Sequence, residues 1–141
     1  PAGNRIDPQL GIGAGARYDH LTSFTTMDNE KSRMIRAVAP GEDIVSAIPG
    51  GRFGAWSGTS MSAPIGSGIA ALVIAKRLSD FPTVPIIPHA IVDQLVETGI
   101  EWRCNYPNRG PIRTSRIDAF CAVTNNSTCG TNSNACNLSS N

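Results

Sequence analysis

The stretch SGTSMSAP, residues 57–64, places a serine on the first turn of a helix. From Ser60 to about Leu78 the side chains are small or apolar nearly all round, which predicts a helix in the middle of a protein. Pro64 lies about one turn inside, where it removes a backbone hydrogen bond or bends the helix. A serine at a helix N-terminus faces free N–H groups and the positive end of the helix dipole, which suits an oxyanion. The alternative to a chemical role is a structural one, in which Thr59 or Ser60 is only the N-cap of the helix.

The flanking sequence predicts further strands and helices. Glycine alternates with apolar residues over Leu10–Ala16, which predicts a buried strand, and two more strands are predicted at Met34–Ala39 and Asp43–Ile48. A second helix is predicted from Pro88 or His89 to Thr98, because proline favours a helix start and Gly99 follows as a stop. A third, shorter helix is predicted over Arg116–Val123.

Composition limits the classes of function. The chain has 141 residues, enough for one domain with a core, and a formal net charge of +1. Without a basic stripe or acidic run, neither nucleic acid nor a membrane surface is predicted as a partner, and the apolar run Gly68–Ala75 is too short to span a bilayer. After Val123 the composition shifts to Asn, Ser, Thr, Gly and Cys, which divides residues 1–124 from a tail of residues 125–141.

The cysteines predict disulfides. Cys104, Cys121, Cys129 and Cys136 do not have the spacing of a zinc site, so bridges and an oxidising, extracellular compartment are predicted. Cys104 is predicted in a polar loop before Gly110 and Cys121 on the third helix. Of three connectivities we therefore favour Cys104–Cys121 with Cys129–Cys136.

The tail also carries three N-x-S/T sequons. They begin at Asn125, Asn126 and Asn137. A sequon matters only in a eukaryotic secretory pathway, and an Asn-rich tail generates sequons by chance, so both interpretations stay open.

Several runs resemble one family. APGEDIVSA at 39–47, GAWSGTSMSAP at 54–64 and GIAAL at 68–72 resemble the nucleophile region of the subtilisin-like serine proteases, the subtilases. The resemblance implies that Ser60 is a nucleophile that forms an acyl-enzyme. AGN at 2–4 is similar to the segment that holds the family's oxyanion asparagine, which implies this role for Asn4. GPIRTSRIDA at 110–119 resembles an element near the family's C-terminus, so the resemblance covers about residues 2–123.

The resemblance also implies the fold and the missing partners of Ser60. The expected fold is α/β, three-layered with a mainly parallel sheet, present here as its C-terminal part. Subtilases supply Asp, then His, then Ser along the chain, with the oxyanion asparagine between His and Ser. The base and its carboxylate are therefore expected upstream of Pro1, in an N-terminal half of the same domain. His20 and His89 are not predicted to be the base, and Trp56 and Trp102 are interpreted as packing residues.

Departures from the family pattern limit what carries over. Ile65 stands where the family usually has a histidine, which bears on packing, and the segment from Asn4 to Leu10 is short, so no substrate preference is predicted. Calcium is common in the family, but no ligand set here matches one residue by residue, so no metal or other cofactor is predicted.

The sequence thus predicts a secreted serine endopeptidase that acts on protein or peptide substrates, inactive as this chain alone. Two alternatives remain. A sedolisin-like acid peptidase shares S-G-T-S but pairs its serine with glutamate and aspartate. A non-catalytic subtilase-like fragment, or one chain of a split protein, would act as a binding module.

Overall fold

A computed structural model describes residues 35–106, 110–128 and 134–135, with only the backbone for 102–106, 110–113 and 134–135. The described residues fall into two units, one with residues 39–65 and the other with residues 35–38, 66–106, 110–128 and 134–135. The elements in chain order are β1 (Ala37–Val38), β2 (Ile44–Ile48), β3 (Arg52–Trp56), α1 (Thr59–Asp80), α2 (Pro88–Glu97), β4 (Ile100–Tyr106), β5 (Gly110–Arg116), α3 (Ala119–Thr124) and β6 (Asn134–Ala135).

A β-hairpin dominates the described part of the first unit. Strands β2 and β3 pair antiparallel, from Ile44 opposite Trp56 to Ile48 opposite Arg52. The connection includes Gly50 and Gly51 at φ of 85° and 69°, in the left-handed region that glycine enters without steric cost. Trp56 is 59% exposed in the described chain, so its interpretation as a packing residue stays a prediction for the whole domain.

The long helix α1 confirms the prediction of a helix from Ser60 to about Leu78. It runs for 22 residues and contains Pro64. Val73 is its one buried residue in the structure as described, whereas Leu72 and Leu78 are exposed. By length and composition α1 could also cross a membrane, but the central helix of a soluble α/β domain meets the same criterion, so this is weak evidence.

The sheet of the second unit is mixed. Its strand order is β1-β5-β4-β6, with β4 and β5 antiparallel and the two outer pairings parallel. Helices together with mixed sheets agree with the predicted α/β class. The finer expectation of three layers and a mainly parallel sheet is a statement about the whole domain, and the described strands do not establish it.

The core of the second unit lies between its helices. Val73, Ile91, Leu95 and Ala122 are buried together, with partly buried apolar side chains packed around them. The buried Gln94 donates from Nε2 to the carbonyl oxygen of Ala122 at 2.6 Å, and its Oε1 accepts from Arg77 Nε at 3.0 Å. This polar side chain therefore links three helices without leaving its amide unpaired.

The predicted bounds agree with the structure for the second helix but not for the third. Helix α2 begins at Pro88 and ends just before Thr98, as predicted from its flanking proline and glycine. Helix α3 is shorter than predicted, because Arg116 and its neighbours pair in β5 and the helix begins only after Asp118, whose carboxylate accepts from Cys121 N–H at 2.9 Å.

The placement of Cys104 corrects another expectation. Its backbone lies within strand β4, opposite Ile112, and not in a loop. Cys121 is buried and disulfide-bonded. Cys129 and Cys136 lie outside the described residues, so the proposed disulfide connectivity stays a prediction. The predicted strand Leu10–Ala16 and His20 also lie outside the described residues.

Gly99 lies where the end of α2 and strand β5 come close together. A Cβ placed there would collide with Ser115 Oγ and would lie 2.6 Å from the carbonyl oxygen of Arg116 and 3.1 Å from that of Leu95. Since two of these atoms are backbone, the collision cannot be relieved by a rotamer change.

We therefore expect Gly99→Ala to destabilise the protein by about 2–4 kcal/mol, read as a lower midpoint of urea unfolding. Gly68→Ala is the matched control, because no described atom lies within 4 Å of a Cβ built there, and alanine favours a helix. Equal midpoints for the two variants would contradict this prediction.

Candidate active site

Ser60 is the second residue of α1 and is exposed. Its hydroxyl has no hydrogen-bond partner among the described residues. The side chain therefore stands exposed at the N-terminal end of the helix.

The backbone N–H groups around Ser60 are partly used. The carbonyl oxygen of Gly58 accepts from Met61 N–H at 3.1 Å and from Ser62 N–H at 3.4 Å, which starts the helical ladder. The N–H of Ser60 precedes this ladder and has no backbone partner within the described chain. It is thus left as a donor at the positive end of the helix dipole, which suits a developing oxyanion.

Two hydrogen bonds tie the start of α1 to the segment before β2. Gly58 N–H donates to the carbonyl oxygen of Gly41 at 2.7 Å. Ser62 Oγ–H donates to the carbonyl oxygen of Ala39, also at 2.7 Å. One bond lies on each side of Ser60 along the chain, so together they fix the turn that presents its hydroxyl.

A third link joins Ser57 to Asp43. Asp43 N–H donates to Ser57 Oγ at 2.9 Å, and Ser57 Oγ–H lies 3.4 Å from Asp43 Oδ1. Asp43 adopts a φ of 53°, in the left-handed region, which aspartate enters more readily than most residues. This conformation directs its N–H to the turn before Ser60.

Pro64 acts on the same turn. A helical residue at 64 would donate its N–H to the carbonyl oxygen of Ser60, four residues earlier, and proline has no N–H. The carbonyl of Ser60 is therefore released from the helical ladder at the residue that the sequence marks as reactive.

Ser60 was predicted from the sequence as the nucleophile, but the residues that hold its turn were not. Ser57, Ser62 and Asp43 carry the supporting bonds, and the only signal for them was two serines within three residues of Ser60. Of the other predicted site residues, Asn4 lies outside the described residues. His89 is exposed near the start of α2, as expected of a surface residue. Within the described chain no group of His, Cys, Asp and Glu could hold a metal ion.

Comparison with known proteins identifies the family. The model of the subtilase family matches residues 6–131. The chain belongs to the subtilase family. A thermophilic serine proteinase of Bacillus sp. (strain AK1) is 42% identical over 115 residues, which are 82% of this chain and 25% of that protein. No solved structure gives a significant match.

Further relatives show how much of a subtilase this chain represents. A subtilisin-like protease of Coccidioides posadasii is 36% identical over 94 residues, 67% of this chain and 21% of the relative. Subtilisin NAT of Bacillus subtilis subsp. natto is 37% identical over 68 residues, 48% of this chain and 17% of the relative. The chain therefore spans about a quarter or less of the length of these subtilases.

Proposed function

We propose that this chain is the C-terminal portion of the catalytic domain of a secreted serine endopeptidase, and that Ser60 is its nucleophile. The observation that carries the proposal is the placement of Ser60, which is exposed at the start of α1 and whose N–H has no partner among the described residues. Membership of the subtilase family supports a peptidase, with protein or peptide substrates.

The proposed reaction uses two residues of this chain, Ser60 and Asn4. Ser60 Oγ attacks the carbonyl carbon of the scissile peptide, and the carbonyl oxygen becomes an oxyanion that accepts from the Ser60 N–H and the side-chain amide of Asn4. Loss of the amine gives an acyl-enzyme, which water hydrolyses. A histidine, held by an aspartate, takes the proton from Oγ and gives it to the leaving amine. Both belong to the upstream part of the domain.

The exposed apolar surface supports the existence of that upstream part. Leu72 and Leu78 on α1, and Phe53 and Trp56 on β3, are all at least 46% exposed. A helix that is apolar nearly all round is stable when other elements cover it. In the proposed three-layer domain with a mainly parallel sheet, the upstream half covers such surfaces.

Extracellular location is proposed on the cysteines. Cys121 is disulfide-bonded, and disulfides persist in oxidising compartments. Relatives alone do not decide the location, because an intracellular serine protease of Paenibacillus polymyxa is 41% identical over 71 residues of this chain. The cysteines therefore carry this part of the proposal.

The experiment that tests the proposal compares the 141-residue chain with a longer protein that includes the upstream sequence. We expect the chain alone not to hydrolyse a chromogenic peptide, because without a base the hydroxyl of Ser60 stays protonated. The longer protein is expected to hydrolyse it and to be labelled at Ser60 by a fluorophosphonate, located by peptide mass spectrometry.

Two results would contradict the proposal. Turnover by the chain alone that is abolished by Ser60→Ala would mean that the base lies within these residues. Fluorophosphonate labelling of the active longer protein at another serine would remove Ser60 from the reaction.

A further inference from the structure

The segment after α3 holds an asparagine whose side chain accepts hydrogen bonds from the residue two positions later, as in an Asx-turn. Asn126, Ser127 and Thr128 form one of the sequons of the tail. Thr128 donates twice to the same atom, Asn126 Oδ1: from its N–H at 3.0 Å and from its Oγ1–H at 2.7 Å. The hydroxyl that the sequon requires is therefore already bonded to the asparagine amide.

This arrangement alters the chemistry of the amide. Two donors on Oδ1 withdraw electron density from the carbonyl, which makes the protons on Nδ2 easier to remove. Nδ2 itself has no hydrogen-bond partner among the described residues. Thr128 and Ser127 are exposed, and Asn126 is half-buried.

We propose that Asn126 is a site of N-linked glycosylation, and that it is used in preference to the overlapping sequon at Asn125. In the reaction, Nδ2 forms a bond to the anomeric carbon of an oligosaccharide carried on a lipid pyrophosphate. The bond from that carbon to the pyrophosphate oxygen breaks, the lipid pyrophosphate leaves, and Nδ2 loses one proton to a base of the transferase.

The geometry of Asn125 explains the preference. Asn125 terminates α3 at φ 54° and ψ 40°, and its N–H is bonded back to Ala122 and Cys121. Its sequon needs the hydroxyl of Ser127, and no hydrogen bond of the described residues joins Ser127 to the Asn125 side chain. The Asn126 sequon has its hydroxyl bond in place, whereas the Asn125 sequon would have to rearrange a helix end to form one.

The overlap of the two sequons provides matched variants. Ser127→Ala removes the Asn125 sequon alone, and Thr128→Ala removes the Asn126 sequon alone. Thr128→Ser keeps the hydroxyl. All are made in an Asn137→Gln background, so that the third sequon gives no signal.

The chain is translated in a cell-free system with endoplasmic-reticulum microsomes and an added leader peptide, which delivers it to the transferase. The readout is an electrophoretic shift reversed by an endoglycosidase, with the modified asparagine located by mass spectrometry after enzymatic conversion to aspartate. We expect one glycan at Asn126, retained in Ser127→Ala and Thr128→Ser and lost in Thr128→Ala.

Other results overturn the inference. A glycan at Asn125, or a shift lost in Ser127→Ala and kept in Thr128→Ala, would show that the bonded hydroxyl does not select the acceptor. No shift at all, when a control glycoprotein is modified in the same microsomes, would show that Asn126 is not an acceptor. None of these results bears on Ser60, so this inference and the proposed protease function fail separately.

Discussion

Replacing Ser60 by alanine in the complete protease is expected to lower kcat by roughly 10⁶-fold, the order measured when subtilisin, a relative of this chain, loses its own nucleophile. The reason is that no other group can form the acyl-enzyme, so only the oxyanion donors and substrate binding continue to act. The measurement is the rate of hydrolysis of a chromogenic peptide by purified wild-type and variant protein.

The control for Ser60→Ala is Ser67→Ala, an exposed serine farther along the same helix. It should keep activity close to that of the wild type, because it lies two turns from the helix end. If Ser60→Ala retained more than about a thousandth of the wild-type kcat, the loss would be too small for a nucleophile and Ser60 would have a supporting role.

Replacing Asn4 by alanine in the same protein is expected to lower kcat by roughly 10²–10³-fold with KM nearly unchanged, the loss known for an oxyanion donor of subtilisin. The charge on the oxygen develops in the transition state, so a donor aimed at it affects the chemical step more than substrate binding. The measurement is kcat and KM for one peptide substrate.

Gln9→Ala is a suitable control for Asn4→Ala, since it removes another side-chain amide from the same segment. We expect it to leave kcat within a few-fold of the wild type. A variant at Asn4 whose KM rises while kcat stays constant would instead indicate a contact made equally with substrate and transition state.

The helices could be predicted because their signals are local. Helix α2 has a proline at its start and a glycine after its end, and α1 is one continuous run of small and apolar residues. Strands β4 and β5 were missed, because IEWRCNY and GPIRTSR mix charged and polar residues with few apolar ones. Their pairing with each other makes them strands, and pairing is not visible in either segment alone.

In the candidate site, too, local signals could be predicted from the sequence and long-range contacts could not. Ser60 could be predicted as a candidate from a short motif and its helix. The bond from Ser62 to Ala39 joins residues 23 positions apart, and the bonds of Asp43 depend on a backbone conformation that few residues adopt. Such contacts follow from the folded arrangement of the hairpin, so no pattern of neighbouring residues indicates them.

The bonds that tie the start of α1 to the segment before β2 also restrict how this region can evolve. A hydrogen bond from Ser62 to Ala39 joins the start of α1 directly to the segment before β2, and five residue pairs hold strands β2 and β3 in one register. An insertion or deletion within either strand would shift side chains to the opposite face. Changes of length in related proteases should therefore collect at the hairpin tip, residues 49–51, where a longer loop costs little free energy.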